Sequence, residues 1–395
     1  MKFSKLVERI AGEGVDAWQI HYAALAAAER GEDVIVLSVG DPDCSTPEPV
    51  CEAAIRALRS GDTHYTAIAG RQPLREAIAR QHCERSGQFV SAENVIVTSG
   101  AQNALFSAAL CLCEAGDEVL VPEPMYLTYE ACIRASGATL IAVPVDSDRD
   151  FRVNLSALQT AITTRTRAIF LATPCNPTGS VMRQNELLAI AAMAQAHDLW
   201  VVSDEVYADI TFEQKHVSIA SLPGMAARTL TISSLSKSHA MTGWRVGWVV
   251  APTTVIRHMA NLLLCMLYGI PGFVQEAAIE AIALRNSLVP AMCSVYRRRR
   301  DMAYGLLSQV PGLKCRQPEA GMFMLVDVSE TGLTANDFVW GLFHQTGVSA
   351  LNAEAFGPTA SGFVRLGLVV PEQRLEEACF RIAAYVNSLQ LARKP

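Results

Sequence analysis

Apolar residues along the middle of the chain fall into two alternating rhythms. Short, dense runs at 94–97, 118–121, 168–172, 199–203 and 229–232 read as buried strands. Between them, 102–113 and 184–196 carry apolar residues at helical spacing. Strand and helix in alternation predict an α/β fold on a mostly parallel sheet flanked by helices. The strands run into loops with polar residues: Ser99, 174–179, 204–207 and 233–237. Open α/β sheets bind ligands at that edge, so these four loops predict one shared site.

The rhythm changes after Gly272. Residues 273–309 read as one long, largely continuous helix rich in Ala, Arg and Glu, and 321–328 as a hairpin-like region. A further strand is expected at 362–368 and a final amphipathic helix at 371–391. No repeat, low-complexity tract or flexible linker interrupts the chain. The expected division is a large domain over 50–285 and a smaller α+β domain built from both chain ends, 1–49 and 286–395.

Composition narrows the function classes. The 395 residues are 50% hydrophobic and 18% charged, ample for a large core. A net charge of −6 argues against a nucleic-acid binder that works through phosphate contacts. The basic run 297–300 lies in a helical pattern and reads as a solvated face. Eleven cysteines show no C-x-x-C pair, and Cys111 and Cys113 sit in an apolar helical stretch as small hydrophobes. Reduced thiols and a cytoplasmic location are the expectation. The start, M-K-F-S-K-L-V-E-R-I, lacks a signal-peptide core, and no apolar run reaches the roughly 18 residues a membrane helix needs.

The segment S-L-S-K-S-H-A-M-T-G-W-R-V-G-W, 234–248, concentrates the chemistry. A lysine becomes an electrophile carrier when its amine condenses with a carbonyl cofactor. Pyridoxal phosphate (PLP) needs such a lysine, donors for its phosphate and an acid for its pyridine nitrogen. Lys237 suits the first need, and Ser234, Ser236 and Arg245 the second. Taken alone, the segment also suits a surface lysine beside a strand.

Asp204, in S-D-E-V-Y, follows the strand 199–203, where a carboxylate can hold a pyridine N–H; a helix cap fits the same letters. Tyr207 is placed to reach a ring oxygen. P-C-N-P-T-G, 174–179, sets Asn176 between two prolines, either to aim one side chain at the cofactor or substrate or simply to turn the chain. Gly100, Ala101 and Gln102 open a helix whose first N–H groups could meet a phosphate, as many helix starts could. Arg365 stands in the apolar run G-F-V-R-L-G-L, and a buried guanidinium needs an anion, either a ligand carboxylate or an internal salt bridge. Tyr65 and Gly70 belong to a polar, turn-prone loop.

With these residues in this order, the chain resembles the class I aminotransferases of PLP-dependent fold type I. The resemblance covers essentially the whole chain and rests on the N-P-T-G, D-E-V-Y and S-x-S-K-x-x-x-M-T-G-W-R blocks. It implies that Lys237 forms the Schiff base and shuttles the Cα proton. Asp204 would pair with the pyridine nitrogen, and Tyr207 and Asn176 with the ring oxygen. Tyr126, in P-E-P-M-Y, would stack on the ring. Gly100, Ala101, Gln102, Ser234 and Arg245 would form the phosphate cup. Tyr65 would reach the phosphate of a neighbouring subunit, making the protein a homodimer with shared sites. Arg365, Asn176 and the backbone of Gly40, in S-V-G-D-P-D, would hold the substrate α-carboxylate. No metal is implied.

Four segments sharpen the substrate: R-I-A-G-E-G-V-D-A-W-Q-I-H-Y, E-P-M-Y-L-T-Y-E-A, the lysine block and L-C-M-L-Y-G. They are most similar to family members of arginine catabolism. This implies L-arginine as donor and a 2-oxo acid such as pyruvate as acceptor, in two half-reactions. Aspartate, alanine or an aromatic amino acid as donor, or β-elimination or decarboxylation, remain open on the same fold. Glu13 or Asp16, near Trp18 and Tyr22, could meet a guanidinium, or this segment could simply pack a helix face on the domain. Cys44 departs from the usual bulky apolar residue, and the loop 268–272 from one that often supplies hydroxyls to the neighbouring site.

Overall fold

The protein is described by a computed structural model covering residues 1–10 and 17–391. Strand β1 (Ile35–Val36) comes first. β2 (Val95–Thr98), β3 (Glu118–Glu123), β4 (Thr139–Pro144), β5 (Thr166–Ala172), β6 (Trp200–Asp204), β7 (Thr229–Ser234) and β8 (Gly247–Val250) then form one sheet, in the order β2-β8-β7-β6-β5-β3-β4. β8 alone runs antiparallel to its neighbours. β2, β7 and β8 are buried along their whole length, which is why their sequences are continuously apolar or small. Helices such as Gly100–Leu112 and Gln184–Ala196 connect the strands and bury their alanine-rich faces on the sheet.

The later strands are β9 (Lys314–Cys315), β10 (Phe323–Asp327), β11 (Val348–Ser349), β12 (Leu351–Asn352) and β13 (Phe363–Gly367). Four of them make an antiparallel sheet, β12-β13-β10-β9, and β11 pairs in parallel with β1. That last pairing ties the early chain to the C-terminal part. The architecture is therefore the expected mostly parallel sheet with helices, accompanied by a smaller sheet. Among the described residues no single helix is long and apolar enough to cross a membrane.

Three expectations need correction. The helix expected at 273–309 is two, Gly272–Ala283 and Arg285–Leu307, bent by 77°. At the bend, Arg285 reaches Asp209 at 2.8 Å and the Ser287 hydroxyl donates to the Leu284 carbonyl at 2.8 Å. The first helix can thus pack on Glu48–Arg59 and the second on Glu372–Leu391. The region 321–328 is no hairpin: β10 pairs along its length with β13, from Phe323↔Gly367 to Asp327↔Phe363.

Nor is 297–300 wholly a solvated face. Arg299 is bidentate to Asp43 at 2.7 and 2.8 Å, and Arg300 to Glu213 at 2.8 and 2.6 Å, both guanidinium groups being buried. Arg297 also donates to the Phe212 carbonyl, so three of the four arginines clamp the early chain and the 204–216 loop region to this helix. All eleven cysteines are unpaired, and burial pushes the Cys113 thiol up to about 12, as suits a small apolar side chain.

Candidate active site

The C-terminal ends of β2, β5, β6 and β7 converge on one cavity of about 310 Å³. Its wall includes Ala101, Gln102, Asn176, Asp204, Tyr207, Ser234, Ser236, Lys237 and Arg245, so the four polar loops do meet. Gly40, Tyr126 and Arg365 complete it from other parts of the chain.

Lys237 lies just beyond β7, where its amine donates to the Gly40 carbonyl at 2.6 Å. Burial draws its pKa down to about 8, with Asp41 opposing the shift and Arg365 and Arg245 assisting it. A neutral amine is thus accessible near physiological pH, as nucleophilic attack or proton transfer requires.

Asp204 is the last residue of β6 and faces the cavity. Burial raises its carboxyl to about 6, while a 2.7 Å hydrogen bond from the Tyr129 hydroxyl and a 3.2 Å bond from the Val206 N–H favour the charged form. It does not cap a helix, since the chain passes into turns after it. Tyr129 was not anticipated from sequence. It lies three residues beyond Tyr126 in the first turn of Tyr129–Ser136, and its ring is fully buried against Phe170. The signal was the second tyrosine of M-Y-L-T-Y, which looks like an ordinary core aromatic.

Arg365 sits on β13 and is 3% exposed. Its guanidinium donates to Asn176 Oδ1 at 3.0 Å and to the Ser38 carbonyl at 3.2 Å, and lies 5.1 and 5.8 Å from the Phe356 and Phe323 rings. Among the described residues it makes no salt bridge, and its Nε has no partner. A buried cation held only by neutral groups and ring faces is a prepared site for a carboxylate.

At the other end, the Ser99 side chain does not cap Gly100–Leu112, leaving the first N–H groups of that helix for an anion. Gly100 has φ +79°, and a Cβ there would stand 2.4 Å from Arg245 Nη2. Arg245 donates to the Thr242 carbonyl at 2.7 Å. The Gln102 side chain turns away, donating to Cys132 Sγ at 3.2 Å and accepting from Thr128 at 2.7 Å, so only its backbone can serve this cup.

Tyr207 is buried beside Phe323, with its hydroxyl about 4.0 Å from where a Gly40 Cβ would lie. Tyr126 packs edge-on against Tyr129 at 5.9 Å. Tyr65 is not brought to this cavity: it is 83% exposed, 4.7 Å from Tyr268, beside the loop 268–272. Cys44 is exposed and points its thiol at Met292. Trp18 lines the cavity, Tyr22 is exposed, and Glu13 and Asp16 lie outside the described residues.

The donor set fits PLP. There is a buried lysine of lowered basicity, a carboxylate across the cavity, an uncapped helix end beside an arginine, and a second arginine that has no carboxylate partner among the described residues.

Comparison with known proteins agrees with this chemistry. Residues 32–382 match the family model described as aminotransferase class I and II. The chain is 52% identical over 383 residues to the arginine–pyruvate transaminase of Pseudomonas aeruginosa, covering 97% of this chain and 98% of that one. It is 35% identical over 364 residues to an aspartate aminotransferase of Pyrococcus abyssi, covering 91% and 93%. The Thermus thermophilus aspartate aminotransferase structure with maleate superposes with a TM-score of 0.92 at 32% identity, covering 98% of this chain and 100% of that one.

Proposed function

The chain belongs to the class I and II aminotransferases, and from that membership we propose that it moves the α-amino group of L-arginine to pyruvate with PLP as cofactor. The observation that carries the chemistry is the arrangement of Lys237, Asp204 and Arg365 around one cavity. The donor and acceptor rest on the 52% identity to the Pseudomonas enzyme.

PLP would supply an aldehyde that condenses with amines and a ring that withdraws electrons from the substrate Cα. Lys237 would hold the aldehyde carbon and then, as a free amine, move the Cα proton. Asp204, supported by Tyr129, would hold the proton on the pyridine nitrogen. Asn176 and Tyr207 would meet the ring oxygen and Tyr126 the ring face. Ser234, Ser236, Arg245 and the N–H groups of 100–102 would hold the phosphate. Arg365 would take the α-carboxylate through its planar fork, with Asn176 and the Gly40 backbone beside it.

A homodimer is part of the proposal, because the exposed Tyr65 and Tyr268 pair has no role in its own cavity and suits a neighbour's phosphate. The proposed large domain spans 50–285, the small one both chain ends, and the location is cytoplasmic.

The test is a half-reaction without acceptor. Holoenzyme is mixed with each of a panel of L-amino acids, and the 2-oxo acid released per active site is measured. L-Arginine should react fastest, and added pyruvate should then be converted to alanine. Faster reaction of another amino acid would overturn the donor. Release of carbon dioxide, or of ammonia in each turnover, would overturn amino transfer.

A further inference from the structure

A second cavity, of about 520 Å³, adjoins the first. Tyr126 lines both. Phe356, whose ring lies 5.1 Å from the Arg365 guanidinium carbon, lines the second. A substrate whose carboxylate sits on Arg365 is therefore one ring away from it.

The chemistry of this cavity is one-sided. Glu123, Glu130 and Glu354 line it, together with the indole of Trp340, and among the described residues no lysine or arginine does. Glu130 is already paired with Arg134 at 2.6 Å, and Glu354 accepts from the Ser361 hydroxyl at 3.3 Å. Glu123 differs from both. It is 6% exposed, and the backbone N–H of Thr359 donates to its Oε1 at 2.6 Å, yet among the described residues it has no cationic partner. A nearly buried carboxylate that lines a cavity without a counter-charge is costly unless a cation is supplied. A planar cation with several N–H donors would find the carboxylate and an aromatic face in the same place.

We propose that this second cavity receives the guanidinium end of the donor amino acid, with Glu123 as its anionic partner and Trp340 as an aromatic wall. The inference rests on arginine being the donor and adds the residues that read its side chain. The catalytic cavity would hold the cofactor and the reacting end of the substrate, and the long side chain would leave past Tyr126 and Phe356.

Glu123→Gln tests this, since the amide keeps an oxygen to accept the Thr359 N–H and removes only the charge. The holoenzyme is assayed with L-arginine and with L-norleucine, a donor of similar reach and no charge. Inhibition by butylguanidinium, which has the cation but no α-carboxylate, is measured alongside. The expected result is a fall in kcat/KM for L-arginine of about tenfold or more and a matching loss of butylguanidinium inhibition, as losing one charge-assisted contact implies. L-Norleucine should be unaffected. Trp340→Leu should lower arginine use in the same selective way by a smaller factor. An equal loss with both donors, or no loss with either, would overturn the assignment of Glu123 while leaving arginine as donor. If the unaltered enzyme does not prefer L-arginine to L-norleucine, the donor itself is wrong and the inference falls with it.

Discussion

Tyr129 donates its phenolic hydrogen to Asp204 across 2.7 Å, and this bond joins a fully buried ring to the carboxylate at the end of β6. Burial drives the carboxyl up to about 6, and the tyrosine is the largest of the contacts that pull it back. Tyr129→Phe should therefore leave the fold intact and raise the Asp204 pKa further. A proton on Asp204 would weaken its grip on a pyridinium. The acid limb of the kcat/KM profile should move to higher pH, with kcat reduced several-fold at pH 6 and much less at pH 8. An unmoved acid limb would show that this bond does not tune the carboxylate.

Arg365 has a structural cost as well as a proposed use. Its guanidinium is 3% exposed with no anionic partner among the described residues and an orphaned Nε. Arg365→Met should raise the thermal midpoint of the cofactor-free protein, because it removes an uncompensated charge. The same variant should lose about 10- to 100-fold or more in kcat/KM for both the amino acid and the 2-oxo acid, the scale of a lost charged hydrogen bond. Scanning calorimetry and steady-state kinetics on one preparation check both halves. Arg365→Lys should keep the charge and lose the fork, recovering only part of the activity.

The cup for the phosphate is sensitive at Gly100. An alanine there must adopt φ +79°, which costs about 1–2 kcal/mol for an L-residue. Its Cβ would also displace Arg245 Nη2, which would stand 2.4 Å away at the end of a side chain that donates to the Thr242 and Ser99 carbonyls. Gly100→Ala should thus lose modest stability but a larger share of anion affinity. Inorganic phosphate should raise the thermal midpoint of the unaltered cofactor-free protein. That protection should be reduced in Gly100→Ala, and equal protection would detach the glycine from the cup.

Much of this was legible because short motifs carry their own geometry. The ends of β2, β5, β6 and β7 follow from apolar runs that stop at polar loops, and topology alone brings Ser99, Asn176, Asp204 and Lys237 to one edge. What was not legible depends on partners distant in sequence. Arg299 and Arg300 look solvated until Asp43 and Glu213 are folded against them. The bend at Leu284 keeps both halves helical, so periodicity cannot register it. Tyr129 has the pattern of a core residue, and only its hydroxyl, aimed at a strand end 75 residues away, makes it part of the site. Glu205, beside Asp204, is fully buried with Arg85 at 2.9 Å, a pairing that spans 120 residues.

Lys237 gives the most direct link between environment and chemistry. Burial lowers its folded-state pKa to about 8 from 10.5, disfavouring the cation. Between those values the unfolded chain binds a proton that the folded chain has lost. Unfolding free energy from this group therefore rises with pH across the window from about 8 to 10.5 and is flat below it. Below pH 8 the folded protein must hold a buried ammonium, so Lys237→Met should stabilise the cofactor-free protein at pH 7. The thermal midpoint should rise by roughly 1 °C for each kcal/mol recovered in a chain of 395 residues. The gain should shrink as pH is raised through the window, because the unaltered lysine has then shed its proton. Lys237→Ala should abolish turnover while some cofactor still binds through the phosphate cup and Asp204. Thermal midpoints at pH 7 and pH 10 test the linkage, and a pH-independent gain would mean that the lysine is not the buried base proposed.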